Sequence, residues 1–318
     1  MTRVFLTRPL PERVVAAAEQ HFEVEVRQKT IPMKAAEMRA ALALYDGVLP
    51  TLGDVFTADI FGSSDAHRCK ILANFGVGCN HIDVTAAGDA NIAVTNTPGA
   101  VTDATADIAM TLMLMSARRA AEGERLIRSR KWEGWHPTQM LGMHLSGKTV
   151  GIVGMGRIGQ AVAKRCHFGF GMNVIYFTRS EKDIGFPSER VGSLKELAGL
   201  ADVVVAAVPG GADTRHMIGT EFFKSMKTTG HFVNIARGEI VKEAALIAAL
   251  QGGRIAGAGL DVYEREPKIP DELIALDNVT MLPHLGTSAL EVRESMGLMA
   301  VENLKAFFEG EAPPNLVT

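Results

Sequence analysis

Cysteine is scarce in this chain: Cys69, Cys79 and Cys166 are the three among 318 residues. An odd count without a C-x-x-C pair argues against a disulfide scaffold or a thioredoxin-type redox pair, and predicts reduced thiols in a cytoplasmic protein. Cys79, after a Gly-Val-Gly turn, is the one thiol placed like a nucleophile; a buried, inert thiol is the commoner role. Charge of one sign is lacking too. The formal net charge is -3, with no basic block or acidic tail, which argues against nucleic acid or an anionic membrane as partner. No apolar run reaches the roughly 20 residues of a membrane span; the most apolar stretch, Ala104 to Ala117, contains Asp107. The opening MTRVFLTRPLPERV has no stretch long enough for a secretory signal. No repeat, low-complexity segment or metal-ligand set stands out, so no metal site is expected. What is present is ordinary for a globular protein, 47% hydrophobic and 22% charged, in a length that accommodates two domains sharing a cleft.

The first hundred residues alternate strand-like and helical runs. Arg3–Leu6, Val24–Val26, Gly47–Leu49 and Lys70–Asn74 read as strands, and Glu12–His21 as an amphipathic helix. This alternation predicts a parallel sheet covered by helices. Thr97-Pro98-Gly99 breaks the pattern, and a helix to about Arg119 follows that is apolar nearly all round, hence expected to be buried between layers or subunits. From Thr149 six strands are expected: 149–153, 173–177, 203–207, 231–235, 255–260 and 279–282, with Ser193 and Thr220 as helix caps. A last helix, 289–309, is expected to return to the first domain. The resulting fold class is α/β with two doubly wound parallel-sheet domains. Residues 1–98 with 287–318 would make a discontinuous, flavodoxin-like substrate domain, and 99–286 a Rossmann-type dinucleotide domain.

The strand Val150–Val153 runs into Gly154-Met155-Gly156-Arg157-Ile158-Gly159 and then a helix. In G-x-G-x-x-G the first glycine makes the tight turn, the second lets backbone approach a pyrophosphate, and the third lets helix pack on strand. The helix N-terminus adds free N–H groups and partial positive charge. A bare glycine pattern is weak evidence; between a Val/Ile-rich strand and a helix it is strong. Gly257-Ala258-Gly259 lies inside a strand and carries no such meaning. The next strand ends in Thr178-Arg179-Ser180, where NAD enzymes place an acid for the ribose 2′-hydroxyl. An arginine there favours a 2′-phosphate, so NADP(H) is the expected cofactor. NAD(H) is the alternative, with Glu181 on the ribose and Arg179 merely solvated.

Three later segments end in polar residues at the carboxyl edge of the expected sheet: Asn234–Gly238, Gly259–Pro267 and Leu282–Thr287. Reduction of a 2-keto acid needs a cation for carboxylate and carbonyl, a proton donor, and an acid that orients the donor. Arg237, His284 and Glu266 suit these roles. Singly each is ordinary: a salt-bridging arginine, a satisfied histidine, a solvated turn glutamate.

Taken together the motifs resemble the D-isomer-specific 2-hydroxyacid dehydrogenase family, over roughly Lys70 to Gly286. They comprise Asn74-Phe75-Gly76-Val77-Gly78 with Asn80-His81-Ile82-Asp83, Asn96-Thr97-Pro98-Gly99, Thr105-Ala106-Asp107, the glycine loop, Asn234-Ile235-Ala236-Arg237-Gly238, Leu260-Asp261-Val262 with Glu266-Pro267, and Pro283-His284-Leu285-Gly286. The resemblance implies that Arg237, Glu266 and His284 are the family's catalytic Arg, Glu and His. It implies substrate contacts at Leu52 and at the amides of Val77 and Gly78. It implies cofactor contacts at Thr105, Arg157, Ile158, Val208, Pro209, Ile235, Asp261 and Gly286, Asp261 bonding the nicotinamide amide. Trp132 and Trp135 lie in a segment that crosses a homodimer in similar enzymes, or pack locally. Within the family, Tyr176-x-x-Arg179-Ser180 resembles glyoxylate/hydroxypyruvate reductases that use NADPH. Formate and phosphite dehydrogenases share the fold, and a dinucleotide-sensing corepressor of the same fold is the reading from another class.

Overall fold

A computed structural model describes residues 1–64 and 66–317. The chain divides into two compact units, Met1–Val101 with Ser288–Thr318, and Thr102–Thr287. Each is built on one parallel sheet, as the alternating pattern predicts.

The first unit has five strands, β1 (Arg3–Leu6), β2 (Glu23–Val26), β3 (Gly47–Leu49), β4 (Ile71–Ala73) and β5 (Ala93–Thr95), in the order β2-β1-β3-β4-β5. Side chains alternate across the pleat. Val4, Leu6, Leu49, Ile71 and Ala73 meet Ala300, Val301 and Leu304 of the last helix, Leu290–Phe308, with Val14 and Ala18 of the helix Glu12–Glu19. Phe5, Val48, Leu72 and Val94 pack instead against Met38, Leu42, Ile60 and Phe61. The helix 290–308 lies where the 289–309 expectation put it. β5 was not expected.

The second unit has seven strands, β6 (Thr149–Val153), β7 (Asn173–Phe177), β8 (Glu189–Arg190), β9 (Val203–Ala206), β10 (His231–Asn234), β11 (Gly257–Leu260) and β12 (Val279–Met281), ordered β12-β11-β10-β9-β6-β7-β8. Six of these match expected strands, and β8 adds a two-residue edge. Val203 and Val205 face the helices Thr102–Ala117 and Arg157–Phe170, while Val204 and Ala206 face Leu197, Phe222, Phe223 and Leu246. A Cβ on Gly259 would stand 2.8 Å from that of Leu112, so the small residues of β11 admit the helix 102–117 closely. Ala106, Ala109, Met110, Leu112 and Met113 of that helix are buried between layers, while Asp107, Thr111 and Leu114, spaced by four and three, form a stripe exposed in the single chain. Ser193 caps its helix by accepting from Glu196 N at 3.1 Å. Thr220 is not a cap but the first helical residue, after Gly219. No helix of the described residues is long and apolar enough to cross a membrane.

Candidate active site

Strand order decides what meets. β10, β11 and β12 are neighbours, so the residues that follow them emerge side by side at the carboxyl edge, where open α/β sheets take ligands. Arg237 follows β10, Asp261 to Glu266 follow β11, and His284 follows β12. His284 Nδ1 lies 2.9 Å from Glu266 Oε2. The other carboxylate oxygen of Glu266 accepts from Tyr263 N at 3.0 Å, which fixes the carboxylate from both sides. Burial raises the Glu266 pKa. The His284 hydrogen bond and charge, the Tyr263 amide and the Arg237 charge outweigh it, and the net value lies below the ordinary carboxylate range. Glu266 is thus held as a carboxylate facing an imidazole. That contact orients the ring through Nδ1 and leaves its Nε2 side for another partner.

His284 has a φ of 55°, a left-handed conformation that costs a non-glycine residue about 1–3 kcal/mol. Asp261, only 1% exposed, holds the turn that imposes it. Its carbonyl accepts from His284 N at 3.0 Å, and its carboxylate takes the N–H groups of Leu285 at 2.6 Å and Gly286 at 2.8 Å. Burial raises the Asp261 pKa. Each oxygen keeps a further lone pair for another donor. Thr105 Oγ1 donates to Gly286 O at 3.1 Å, tying the same turn to the helix 102–117. Arg237 is half-buried and its Nη1 donates to Ala236 O at 2.7 Å. Asn234 holds the backbone on either side of it, through Arg237 O and Ala236 N, each at 3.1 Å. The next residue must be glycine: a Cβ on Gly238 would stand 1.8 Å from Tyr263 C. Here the β10 and β11 ends touch backbone to backbone.

The glycine loop sits on β6, where the connections diverge to β7 on one side and β9 on the other. Gly154 has a φ of 97°, and a Cβ there would meet Val208 Cγ1 at 2.6 Å; one on Gly159 would meet Gly154 O at 2.1 Å. A Cβ on Gly156 would meet nothing within 4 Å, and the helix 157–170 that it opens has no side-chain cap. Open space over uncapped N–H groups fits a pyrophosphate. Pro209 O accepts from Thr214 Oγ1 at 2.7 Å, which holds the loop beside Val208, and Ile235 is buried under the same edge. Thr178, Arg179 and Ser180 follow β7, the last two exposed. Sequence reasoning missed Arg190. It comes from β8, and its guanidinium donates to Thr178 O at 3.1 Å and Arg179 O at 3.2 Å, placing a second cation at this strand end. Leu52 and Val77 follow β3 and β4 of the first unit, each 39% exposed, beside Gly78. Burial pushes the thiols of Cys69 and Cys166 up to about 12; neither is a nucleophile. A cavity of roughly 800 Å³ lies at the opposite, amino edge of the second sheet, beside Lys148, Asp202, His231 and Asn278. None of the polar residues above lines it.

The D-isomer specific 2-hydroxyacid dehydrogenase NAD binding domain profile matches residues 110–286. The glyoxylate reductase of Thermococcus kodakarensis is 44% identical over 99% of this chain and 96% of its own. The chain belongs to the D-isomer-specific 2-hydroxyacid dehydrogenase family. It is therefore an NAD(P)-dependent oxidoreductase. Among solved structures, a protein from Thermus thermophilus matches with a TM-score of 0.92 at 41% identity, covering all of both chains. An NADPH-dependent glyoxylate/hydroxypyruvate reductase from Sinorhizobium meliloti, in complex with NADP and malonate, matches at 0.87 and 33%, covering all of this chain and 97% of that one.

Proposed function

We propose that this dehydrogenase reduces a small 2-keto acid of the glyoxylate or hydroxypyruvate type with NADPH. The observation that carries the reading is the His284–Glu266 pair at 2.9 Å, at one sheet edge with Arg237. The second unit, from about residue 99 to 286, is the dinucleotide domain. Its loop Gly154-Met155-Gly156-Arg157-Ile158-Gly159 takes the pyrophosphate; Thr178, Arg179 and Ser180 take the 2′-phosphate; Val208 and Pro209 border the ribose. Thr105, Ile235, Asp261 and Gly286 border the nicotinamide. Bound nicotinamide supplies the hydride. Arg237 holds the substrate carboxylate and polarises its carbonyl, stabilising the charge that grows on oxygen. His284 delivers the proton to that oxygen, and Glu266 orients the ring. Leu52 and the amides of Val77 and Gly78 in the first unit complete the substrate contacts. The working form is a cytoplasmic homodimer.

A steady-state panel of glyoxylate, hydroxypyruvate, pyruvate and phenylpyruvate, each with NADPH and NADH, tests this reading. Glyoxylate or hydroxypyruvate with NADPH should give the highest kcat/KM. His284→Ala should lower kcat about 10²- to 10⁴-fold while NADPH still binds. A variant within a few-fold of wild type removes His284 from the mechanism. Partner recruitment governed by the dinucleotide, without turnover of any of the four acids, would favour a sensor.

A further inference from the structure

The segment after β4, Phe75 to Cys79, has its carbonyl groups captured one after another. Gly76 O accepts from Asn74 Nδ2 at 3.0 Å and from Thr97 N at 3.0 Å. Val77 O accepts from Asn96 Nδ2 at 2.9 Å. Gly78 O accepts from Asn74 Nδ2 at 3.1 Å. In a planar trans peptide the C=O and the following N–H point in opposite directions. Fixing Gly76 O therefore turns the Val77 N–H outward, and fixing Val77 O does the same for Gly78. These two N–H groups donate to no group among the described residues.

The two asparagines are themselves held. Asn74 is wholly buried, and His81 Nε2 lies 3.0 Å from its Oδ1. With Nδ2 committed to two carbonyls, Oδ1 must accept, so His81 donates from Nε2 and cannot let the amide flip. Asn96 N donates to Asn315 O at 3.1 Å, and Asn96 O accepts from the buried Asn303 Nδ2 at 3.2 Å. The segment is thus a preset pair of donors backed by two layers of amides.

We propose that Asn74 and Asn96 are positioning residues. They lock the peptides at 76–78 so that the Val77 and Gly78 N–H groups form a fixed cradle for the substrate carboxylate. The inference rests on the proposed reading of those amides as carboxylate contacts, and it adds what makes them effective. A peptide free to rotate could present its carbonyl oxygen to the carboxylate, and would have to be reordered on every binding event.

Oxamate, a carboxylate analogue of glyoxylate, separates the cradle from the rest of the site. Its inhibition constant is measured for wild type, Asn96→Ala and the near-isosteric Asn96→Asp, beside the affinity for NADPH alone. Loss of the Asn96 donor should raise the oxamate constant and the glyoxylate KM about tenfold, leaving NADPH affinity and kcat within about twofold. Asn96→Asp keeps the shape and removes the donor, so it should lose at least as much. An unchanged oxamate constant in either folded variant, or equal loss for oxamate and NADPH, overturns the positioning role while the proposed function stands. A wild type that neither binds oxamate nor reduces glyoxylate overturns the proposed function, and this inference with it.

Discussion

His231 carries a consequence far from any bound substrate. It starts β10, is 5% exposed, and its Nδ1 lies 2.8 Å from Ser116 Oγ. Burial drives its pKa down to about 4, against about 6.5 for a free histidine. The unfolded chain therefore binds more protons than the folded one between those values, so stability is lost as the pH is lowered across that window. Above about pH 6.5 the ring is neutral in both states and costs nothing. By about pH 4 the penalty is on the order of 3 kcal/mol. Urea unfolding at pH 7, 5.5 and 4.5 should show this loss in wild type and a flatter profile in His231→Gln. Equal slopes in the two proteins would mean that the ring is not held neutral. The arrangement of His284, by contrast, is a backbone matter. Its left-handed φ and the Asp261 bonds that impose it leave no trace in composition or spacing. Arg237, Glu266 and His284 stood out as residue types, but the 2.9 Å contact between the glutamate and the imidazole depends on β10, β11 and β12 lying side by side.

At the scale of elements, the proposed preference for NADPH rests on the β7–β8 edge. Arg179 is exposed and makes no ion pair among the described residues, and Arg190 reaches the same strand end through two carbonyls. A 2′-phosphate there gains a charge-assisted hydrogen bond from each, worth roughly 1.5–3 kcal/mol apiece. Arg179→Ala should raise the KM for NADPH about tenfold or more and barely move that for NADH. Arg190→Ala should act in the same direction, and the double variant should approach parity between the cofactors. If wild type already prefers NADH, Glu181 becomes the residue to test on the ribose. The glycine loop was legible because strand, turn and helix each carry their own signal and all three agree. β8 was not, since Glu-Arg has neither the length nor the alternation of a strand, and its pairing to Ile175 and Tyr176 is made by tertiary packing.

For the whole molecule, the proposed homodimer makes a spectroscopic prediction. The chain has two tryptophans, 51% and 79% exposed at 132 and 135, in a stretch that also bares Ile127 and Leu141. Association through this stretch would bury them. Dilution from dimer to monomer should then shift tryptophan emission to the red. Trp135→Ala should raise the dissociation constant seen by sedimentation about tenfold, the loss of a large aromatic anchor. A protein that sediments as a monomer at all concentrations, or one whose emission ignores dilution, would place both rings in solvent for good.

The division of the first unit between the two ends of the chain also sets a timetable for synthesis. Val4, Leu6, Leu49, Ile71 and Ala73 leave the ribosome early, but Ala300, Val301 and Leu304, which cover that sheet face, emerge last. At roughly 5–20 residues per second, the nascent sheet waits on the order of 10–40 s with one apolar side uncovered. The inserted unit, whose own core comes wholly from residues between Thr102 and Thr287, can be finished in that interval. Nascent copies can therefore carry a folded later-coded unit while one face of the earlier-coded sheet is still uncovered. Those copies, and not the mature enzyme, are the species that a chaperone of exposed apolar surface would meet.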